Sequence, residues 1–294
     1  MKVIAFISGK GGTGKTSVVA SFARLAAPVV AADCDVDAAN LSLLLGGCVV
    51  REEGFVAGQV ARIRPDACTA CGACVERCRF HAIRPLGAHF EVDPLACEGC
   101  RVCQQGCPFD AVEMVDNAAG HVHVLRTSVG PMVSAALEPA QSNSGKLVTR
   151  VRTLARELAI EHGSEVLLLD GPPGIGCPVH ATLADTDLAV VVTEPTPSGQ
   201  HDLERTLELL RRFGRPAMVI LNKADLSQAM AQRIRGVTAA YGASLIGELP
   251  FVATVPAGLA QRLAPLDDST LRPLLETQWD RIMEHRCRQE GALA

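Results

Sequence analysis

Two four-cysteine runs, Cys68, Cys71, Cys74, Cys78 and Cys97, Cys100, Cys103, Cys107, lie 29 residues apart and constrain this chain more than any other feature. The same shift lays Pro65 on Pro94, Ala82 on Ala111 and Ile83 on Val112, so the segment is a duplicated half-module. Eight thiols within forty residues either cross-link or hold metal. Twelve cysteines in 294 residues fall below the density of a secreted disulfide scaffold, and their clustering points to metal in a reducing compartment. Zinc needs four ligands per site and could draw on CxxC pairs. Repetition of the whole four-cysteine run favours iron–sulfur cubanes, because such short spacings let three thiolates wrap one cubane.

Outside this segment the text has an α/β rhythm. Residues 2–8 (KVIAFIS) read as a buried strand, 15–27 as an alanine-rich helix and 28–33 (PVVAAD) as a second strand ending in carboxylates. The rhythm returns near residue 146 with LVTRVRTLARELAIEHG, an amphipathic helix, and VLLLD (166–170), a strand closed by a carboxylate. LAVVVTEP (188–195) is a strand, HDLERTLELLRRFG a helix, and AMVILNKAD (217–225) a strand with a polar terminus. Strand, helix and strand at this spacing build a parallel sheet with crossover helices. The expected organisation is one α/β domain in two parts, 1–58 and 119–294, around an inserted module at 59–118. Residues 118–145 read as a β-rich return path.

Gly9-Lys10-Gly11-Gly12-Thr13-Gly14-Lys15-Thr16 fits G-x-x-x-x-G-K-T between the first strand and the first helix. Glycines let successive backbone N–H groups converge on phosphate oxygens, and the helix N-terminus adds its positive end. Lys15 is placed to neutralise the β- and γ-phosphates and Thr16 to hold Mg²⁺, with Ser17 following in the same turn. The expected ligand is a nucleoside triphosphate. Only five lysines occur, Lys2, Lys10, Lys15, Lys146 and Lys223, and three of them fall in nucleotide-associated motifs.

The K-G-G-x-G-K-T form resembles the deviant P-loop of the MinD, Mrp and nitrogenase iron protein family. That resemblance implies that Lys10 reaches across a nucleotide-sandwich homodimer to the partner's phosphates. Asp33-Cys34-Asp35-Val36-Asp37 resembles the family's first switch, which implies that Asp35 orients the attacking water and supports Mg²⁺. Asp33 and Asp37 could equally cap the next helix or hold Mg²⁺. Asp170-Gly171-Pro172-Pro173-Gly174 resembles the second switch, implying Asp170 on Mg²⁺ and a Gly174 N–H for the γ-phosphate. Asn222-Lys223-Ala224-Asp225 resembles the base-recognition element, with Asn222 on adenine, although N-K-x-D also reads guanine in GTPases. Pro250 falls where the family carries a further base-contacting loop.

The cysteine runs have the spacing of bacterial ferredoxins, in which the fourth cysteine of each run ligates the other cluster. That resemblance implies one [4Fe–4S] cluster on Cys68, Cys71, Cys74 and Cys107, and a second on Cys97, Cys100, Cys103 and Cys78. Arg79 departs from the pattern by standing where proline usually follows the last cysteine. Cys177 lies seven residues after Asp170, where the nitrogenase iron protein places a cluster ligand on its dimer axis. A second such cysteine is absent from 118–169, so Cys177 is read either as a dimer-interface metal ligand or as a small thiol packing the switch loop. Cys34, Cys48 and Cys287 read as core or surface thiols.

The fold class expected from both resemblances is α/β, a mostly parallel-sheet P-loop NTPase of the SIMIBI type with an inserted α+β bacterial-ferredoxin-like domain. A net charge of −4 gives no general attraction to nucleic acid or anionic membrane. No run of some 18 apolar residues occurs, and a cytoplasmic location is expected. The C-terminal stretch from Leu271 carries apolar residues on one helical face and reads as core packing. Three function classes follow: an ATPase for metallocluster assembly or delivery, an ATP-gated electron donor, and a regulatory or spatial ATPase with structural or sensing clusters. Each implies an ATP-state homodimer, and the first two a client metalloprotein or redox partner.

Overall fold

A computed structural model describes residues 1–139, 141 and 144–285. Cys287 lies outside the described residues. The elements run β1 (Lys2–Ser8), α1 (Lys15–Leu25), β2 (Val30–Asp33), α2 (Leu41–Leu45), β3 (Cys48–Ile63), α3 (Ala73–Arg77), β4 (Ile83–Leu86) and β5 (His89–Val92). They continue as α4 (Val102–Gln105), β6 (Val112–Arg126), β7 (Pro131–Leu137), α5 (Ser144–Glu161), β8 (Val166–Pro173), α6 (Cys177–Leu183) and β9 (Leu188–Thr193). The last are α7 (Pro197–Arg212), β10 (Ala217–Asn222), α8 (Gln228–Ala240), β11 (Ser244–Leu249), α9 (Thr254–Ala260) and α10 (Arg272–Glu284).

Nine strands form one sheet in the order β11-β10-β9-β1-β8-β2-β7-β6-β3, parallel from β11 through β7. The central strands are near-continuous runs of Val, Ile, Leu and Ala because helices cover both faces of a parallel sheet. Every residue of β9 is buried, as is β1 from Val3 onward. The connection from β1 runs past β8 to β2 and that from β8 runs past β1 to β9, so connections leave this adjacent pair toward opposite sides and open a crevice at the C-terminal strand ends. Phe6, Phe22 and Trp279 stack in series beneath, with ring centroids 5.5 and 5.6 Å apart, which seats α10 on the core. Residues read as a β-rich return path form β6 and β7, joined by a turn in which the Thr127 N–H donates to the Gly130 carbonyl at 3.1 Å.

The chain divides into two compact units. The larger takes Met1–Glu52, Val122–Ala136 and the described residues from Ser144 onward; the smaller takes Glu53–His121 and the described residues of 137–143. The strands β3 and β6 run through these divisions, so the unit edges at 52/53 and 121/122 fall inside the same two strands as the expected 58/59 and 118/119.

Within the smaller unit the 29-residue repeat is written into the backbone. Left-handed residues recur as Ala70 and Gly99, Gly72 and Arg101, and His81 and Asp110, at φ 54 and 63°, 81 and 64°, and 52 and 51°. The hydrogen bond from the Arg64 N–H to the Ala111 carbonyl, 2.8 Å, has its counterpart from the Asp93 N–H to the Ala82 carbonyl, 2.7 Å. Short helices α3 and α4 each begin one residue after a left-handed residue and carry a buried cysteine, Cys74 or Cys103.

Candidate nucleotide and cluster sites

The glycine-rich loop joins the end of β1 to the start of α1. Gly12 and Gly14 hold φ of +81 and +89°, a region open to glycine without steric cost. Gly9 and Gly14 are also required by crowding, since a Cβ would run into Asp202 at the first and the Asn222 amide at the second. Lys15 is almost fully buried, with its ammonium against the Asp170 carboxylate and 3.4 Å from the Thr16 hydroxyl. Gly11 and Gly12 face open space.

The switch carboxylates gather around Lys15. In the parallel register of β2 and β8, Asp33 is the partner of Asp170 at the C-terminal ends. Burial and the Asp170 charge push Asp33 up to about 7, against the pull of the Leu41 N–H and Lys15. Asp33 accepts the Leu41 N–H at 2.9 Å and the Asp35 N–H at 3.1 Å, so both its oxygens brace the segment from Asp35 to Leu41. Asp35 is half-buried, raised by desolvation and pulled down by Lys15. Asp37 is exposed. Among the described residues, Asp170 Oδ2 and Thr13 Oγ1 are buried without a hydrogen-bond partner. No three His, Cys, Asp or Glu side chains among them converge as a ready-made site for a metal ion. Mg²⁺ is ordinarily held by one or two carboxylates together with phosphates and water, so the free oxygen of Asp170, whose Lys15 partner also reaches the Thr16 hydroxyl, suits it. Gly174 has φ +89°, and its N–H donates to the Ser8 carbonyl at 2.8 Å; reaching a phosphate requires that bond to be exchanged.

The third portion of the site is apolar. A cavity of about 710 Å³, counting space open to solvent, is lined by Gly12, Gly14, Ser17, Asn222, Pro250 and Phe251 among others. That size and lining suit a nucleotide base. Asn222 uses its amide to donate to the Thr13 carbonyl at 2.8 Å and to accept the Lys223 N–H at 3.0 Å. Asp225 accepts the Phe251 N–H at 2.6 Å, which ties the loop bearing Pro250 to the end of β10. One residue was not singled out in the sequence: Glu194, just after β9, binds both Lys10 at 2.6 Å and Lys223 at 2.9 Å. Its signal was an acid closing an apolar strand, the same signal that marks Asp170.

In the smaller unit the eight cysteines sort into two cavities. One, of about 310 Å³ counting space open to solvent, is lined by Cys68, Cys71, Cys74 and Cys107 among others; the other, of about 360 Å³ on the same measure, by Cys78, Cys97, Cys100 and Cys103 among others. Each takes three thiols from one run and one from the other. The Ala61 N–H donates to Cys97 Sγ at 3.4 Å and the Ala111 N–H to Cys107 Sγ at 3.3 Å. Burial raises the Cys74 and Cys103 thiols, and neighbouring cysteines raise them further. A cubane sets its ligands around its corners, several ångströms apart, so a four-thiol cavity fits it without the tight convergence that a single ion demands.

Cys177 opens α6 and is exposed; Cys34 is buried, with burial as the main cause pushing its thiol upward; Cys48 is exposed. No helix among the described residues is long and apolar enough to cross a membrane.

A family model described as the CobQ/CobB/MinD/ParA nucleotide binding domain matches residues 4–266. The uncharacterized protein MJ0578 of Methanocaldococcus jannaschii is 34% identical over 271 residues, covering 91% of each chain. Among solved structures, the MinC:MinD cell division protein complex of Aquifex aeolicus gives a TM-score of 0.58 at 17% identity, covering 99% of both chains. The septum site-determining protein MinD of Pyrococcus horikoshii, complexed with Mg-ADP, gives 0.54 at 18% identity over 96% of each chain.

Proposed function

The chain belongs to the CobQ/CobB/MinD/ParA nucleotide-binding family and is a P-loop ATPase, and from that premise we propose that it couples ATP to iron–sulfur clusters in metallocluster assembly or delivery. The observation that carries this reading is the sorting of eight cysteines into two four-thiol cavities, three and one from each run. Cys68, Cys71, Cys74 and Cys107 would hold one [4Fe–4S] cluster, and Cys97, Cys100, Cys103 and Cys78 the other. When bound, the clusters supply one-electron chemistry to the chain.

At the nucleotide site the chain's own groups divide the work. Lys15 leaves Asp170 for the β- and γ-phosphates, and Thr16 and Asp170 hold Mg²⁺ as it comes with the nucleotide. Asp35 orients the attacking water; phosphoryl transfer needs chiefly positioning and charge stabilisation. The N–H groups of Gly9 through Ser17 line the phosphates, and Gly174 adds its own after release from Ser8. Asn222 sets the loop against the base, which lies in the apolar cavity beside Pro250 while Asp225 braces the loop. Membership of an ATPase family supports adenine over guanine reading. Lys10 serves the nucleotide of a second copy, making an ATP-state homodimer. A cytoplasmic location and a client metalloprotein or redox partner complete the reading.

Cys177 decides between delivery and gated electron transfer. The test is iron content after strictly anaerobic purification, wild type against Cys177→Ala. About eight iron atoms per chain in both match two cubanes alone and favour an ATP-gated electron donor. Additional metal lost only from the variant supports assembly or delivery through a site at the switch. Iron far below eight in the wild type refutes the two-cluster reading.

A further inference from the structure

The two thiol cavities of the smaller unit are matched in two of the properties that set the potential of an iron–sulfur site and unmatched in the third. Each takes one buried, one exposed and two half-buried cysteines: Cys74, Cys71, Cys68 and Cys107 at the first, Cys103, Cys100, Cys97 and Cys78 at the second. Each receives a backbone hydrogen bond on a cysteine sulfur, from Ala111 to Cys107 at 3.3 Å and from Ala61 to Cys97 at 3.4 Å. Potential follows solvent exposure, hydrogen bonds to sulfur and net charge, so with the first two alike charge is left to separate the sites.

Apart from its cysteines, no ionisable side chain lines the first cavity. Arg101 and Glu98 line the second, and the Arg79 guanidinium lies 5.7 Å from the centre of the Phe80 ring, itself part of that wall. Under the 29-residue shift these three stand where the first site has Gly72, Thr69 and Pro108. Arg101 is held by the neutral Gln59 side chain, and neither arginine has a carboxylate partner among the described residues. Two cations against one anion leave the second site one positive charge richer. Arg77 donates to the Gly106 carbonyl, joining the residue before Cys78 to the residue before Cys107, and so favours neither site.

We propose that the two sites are unequal electron acceptors, and that Arg79 and Arg101 make the site on Cys78, Cys97, Cys100 and Cys103 the one of higher potential, where the first electron settles. The proposal rests on the two-cluster reading. Reduction adds one negative charge to a site, and a nearby cation stabilises that form more than the oxidised one. An electron arriving at the site on Cys68, Cys71, Cys74 and Cys107 passes on to the other. That single electron oxidises the first site and reduces the second, with no proton moved and no bond broken. Both arginines are exposed, so added salt narrows the difference. The duplicated module thereby gains a direction that its cysteine spacing alone does not have.

The test is a reductive titration with dithionite on the full chain, purified anaerobically, with EPR spin count followed against potential. The wild type, at about eight iron atoms per chain, is expected to show two midpoints about tenfold or more apart in the distribution of one electron, about 59 mV. Joint Arg79→Gln and Arg101→Gln substitution should lower the upper midpoint and leave the lower one in place. Joint Arg79→Lys and Arg101→Lys substitution keeps the charge and should retain the wild-type separation. Gly72→Arg is the converse: a Cβ there meets nothing within 4 Å, and Arg101 carries its side chain on the same left-handed backbone. It should raise the lower midpoint alone, and it decides the matter if the glutamine variant loses iron. Coincident wild-type midpoints, an upper midpoint that the glutamine variant does not lower, or lysine variants that behave as glutamine ones overturn the proposal while two clusters stand. Wild-type iron far below eight removes the two-cluster reading and the proposal together.

Discussion

The larger unit closes over Phe6, Phe22, Leu168, Val190, Ile220 and their neighbours, an apolar core that requires no ligand to exclude water. The smaller unit closes over Ala61, Ile63, Cys74, Ile83, Cys103 and Val112, with Cys68, Cys78, Cys97 and Cys107 among the residues packed against them. One core is hydrocarbon and the other is substantially thiol. A short chain segment with so little hydrocarbon to bury is the kind of domain that needs a metal to fold. The difference teaches that the nucleotide unit can serve as a self-sufficient platform, while on the proposed two-cluster reading the cysteine unit would depend on what its thiols hold.

The comparison breaks most visibly if the metal is removed. Chelation of iron after oxidation should unfold the smaller unit and leave the larger one intact, read as protection from hydrogen exchange lost in 53–121 but retained in β1, β8 and β9. Uniform protection across both units after complete iron loss would show that the thiol core stands without metal. Next in size is the reciprocal test. Lys15→Ala or Asp35→Asn should cut ATP turnover by about 100-fold or more, as for removal of a preorganised electrostatic group, while iron content stays at the wild-type level. Full turnover in either variant sinks the phosphate-site assignment.

A core truncation sharpens the contrast further. Phe22→Ala removes the ring that stacks between Phe6 and Trp279, and should destabilise the larger unit by about 3–5 kcal/mol in denaturant titrations. The smaller unit's iron absorbance should persist to its own midpoint. The smallest effect lies between the two halves of the repeat. Gly72 and Arg101 occupy equivalent left-handed positions, so Gly72→Ala should cost about 1–2 kcal/mol through the Cβ penalty. Arg101→Gly relieves that penalty but adds unfolded-chain freedom and loses the bond to Gln59, leaving a net change within about 1 kcal/mol in the midpoint of cluster loss.

Several of these positions were readable without a structure. The strand at 2–8 and those expected at 188–195 and 217–225, which end at Thr193 and Asn222, follow from apolar runs with polar ends, and the P-loop from glycine and lysine spacing between a strand and a helix. The strand at 166–170 extends to Pro173, because Gly171 passes so close to the Phe6 carbonyl that no Cβ fits and the chain can stay paired with β1. Expected as a single stretch, 15–27 stops at Leu25, and the following strand starts at Val30 rather than Pro28, since proline brings no N–H to a ladder. The roles of Asp33, Asp225 and Glu194 were not readable. Each depends on partners from other strands or loops: Asp170, Phe251, Lys10 with Lys223.

The sequence by itself determined the chemistry available and its local geometry: which glycines can turn left-handed, which lysine follows them, and how three cysteines of a run lie within reach of one another. Those properties are set by spacing along a chain whose backbone permits few conformations. Tertiary structure alone decided which distant groups share a site. Strand order brings Asp33 beside Asp170, and β9 with β10 delivers Glu194 and Lys223 to the loop that carries Lys10. Pairings of this kind are paid for by burial of whole sheet faces, so no local pattern encodes them.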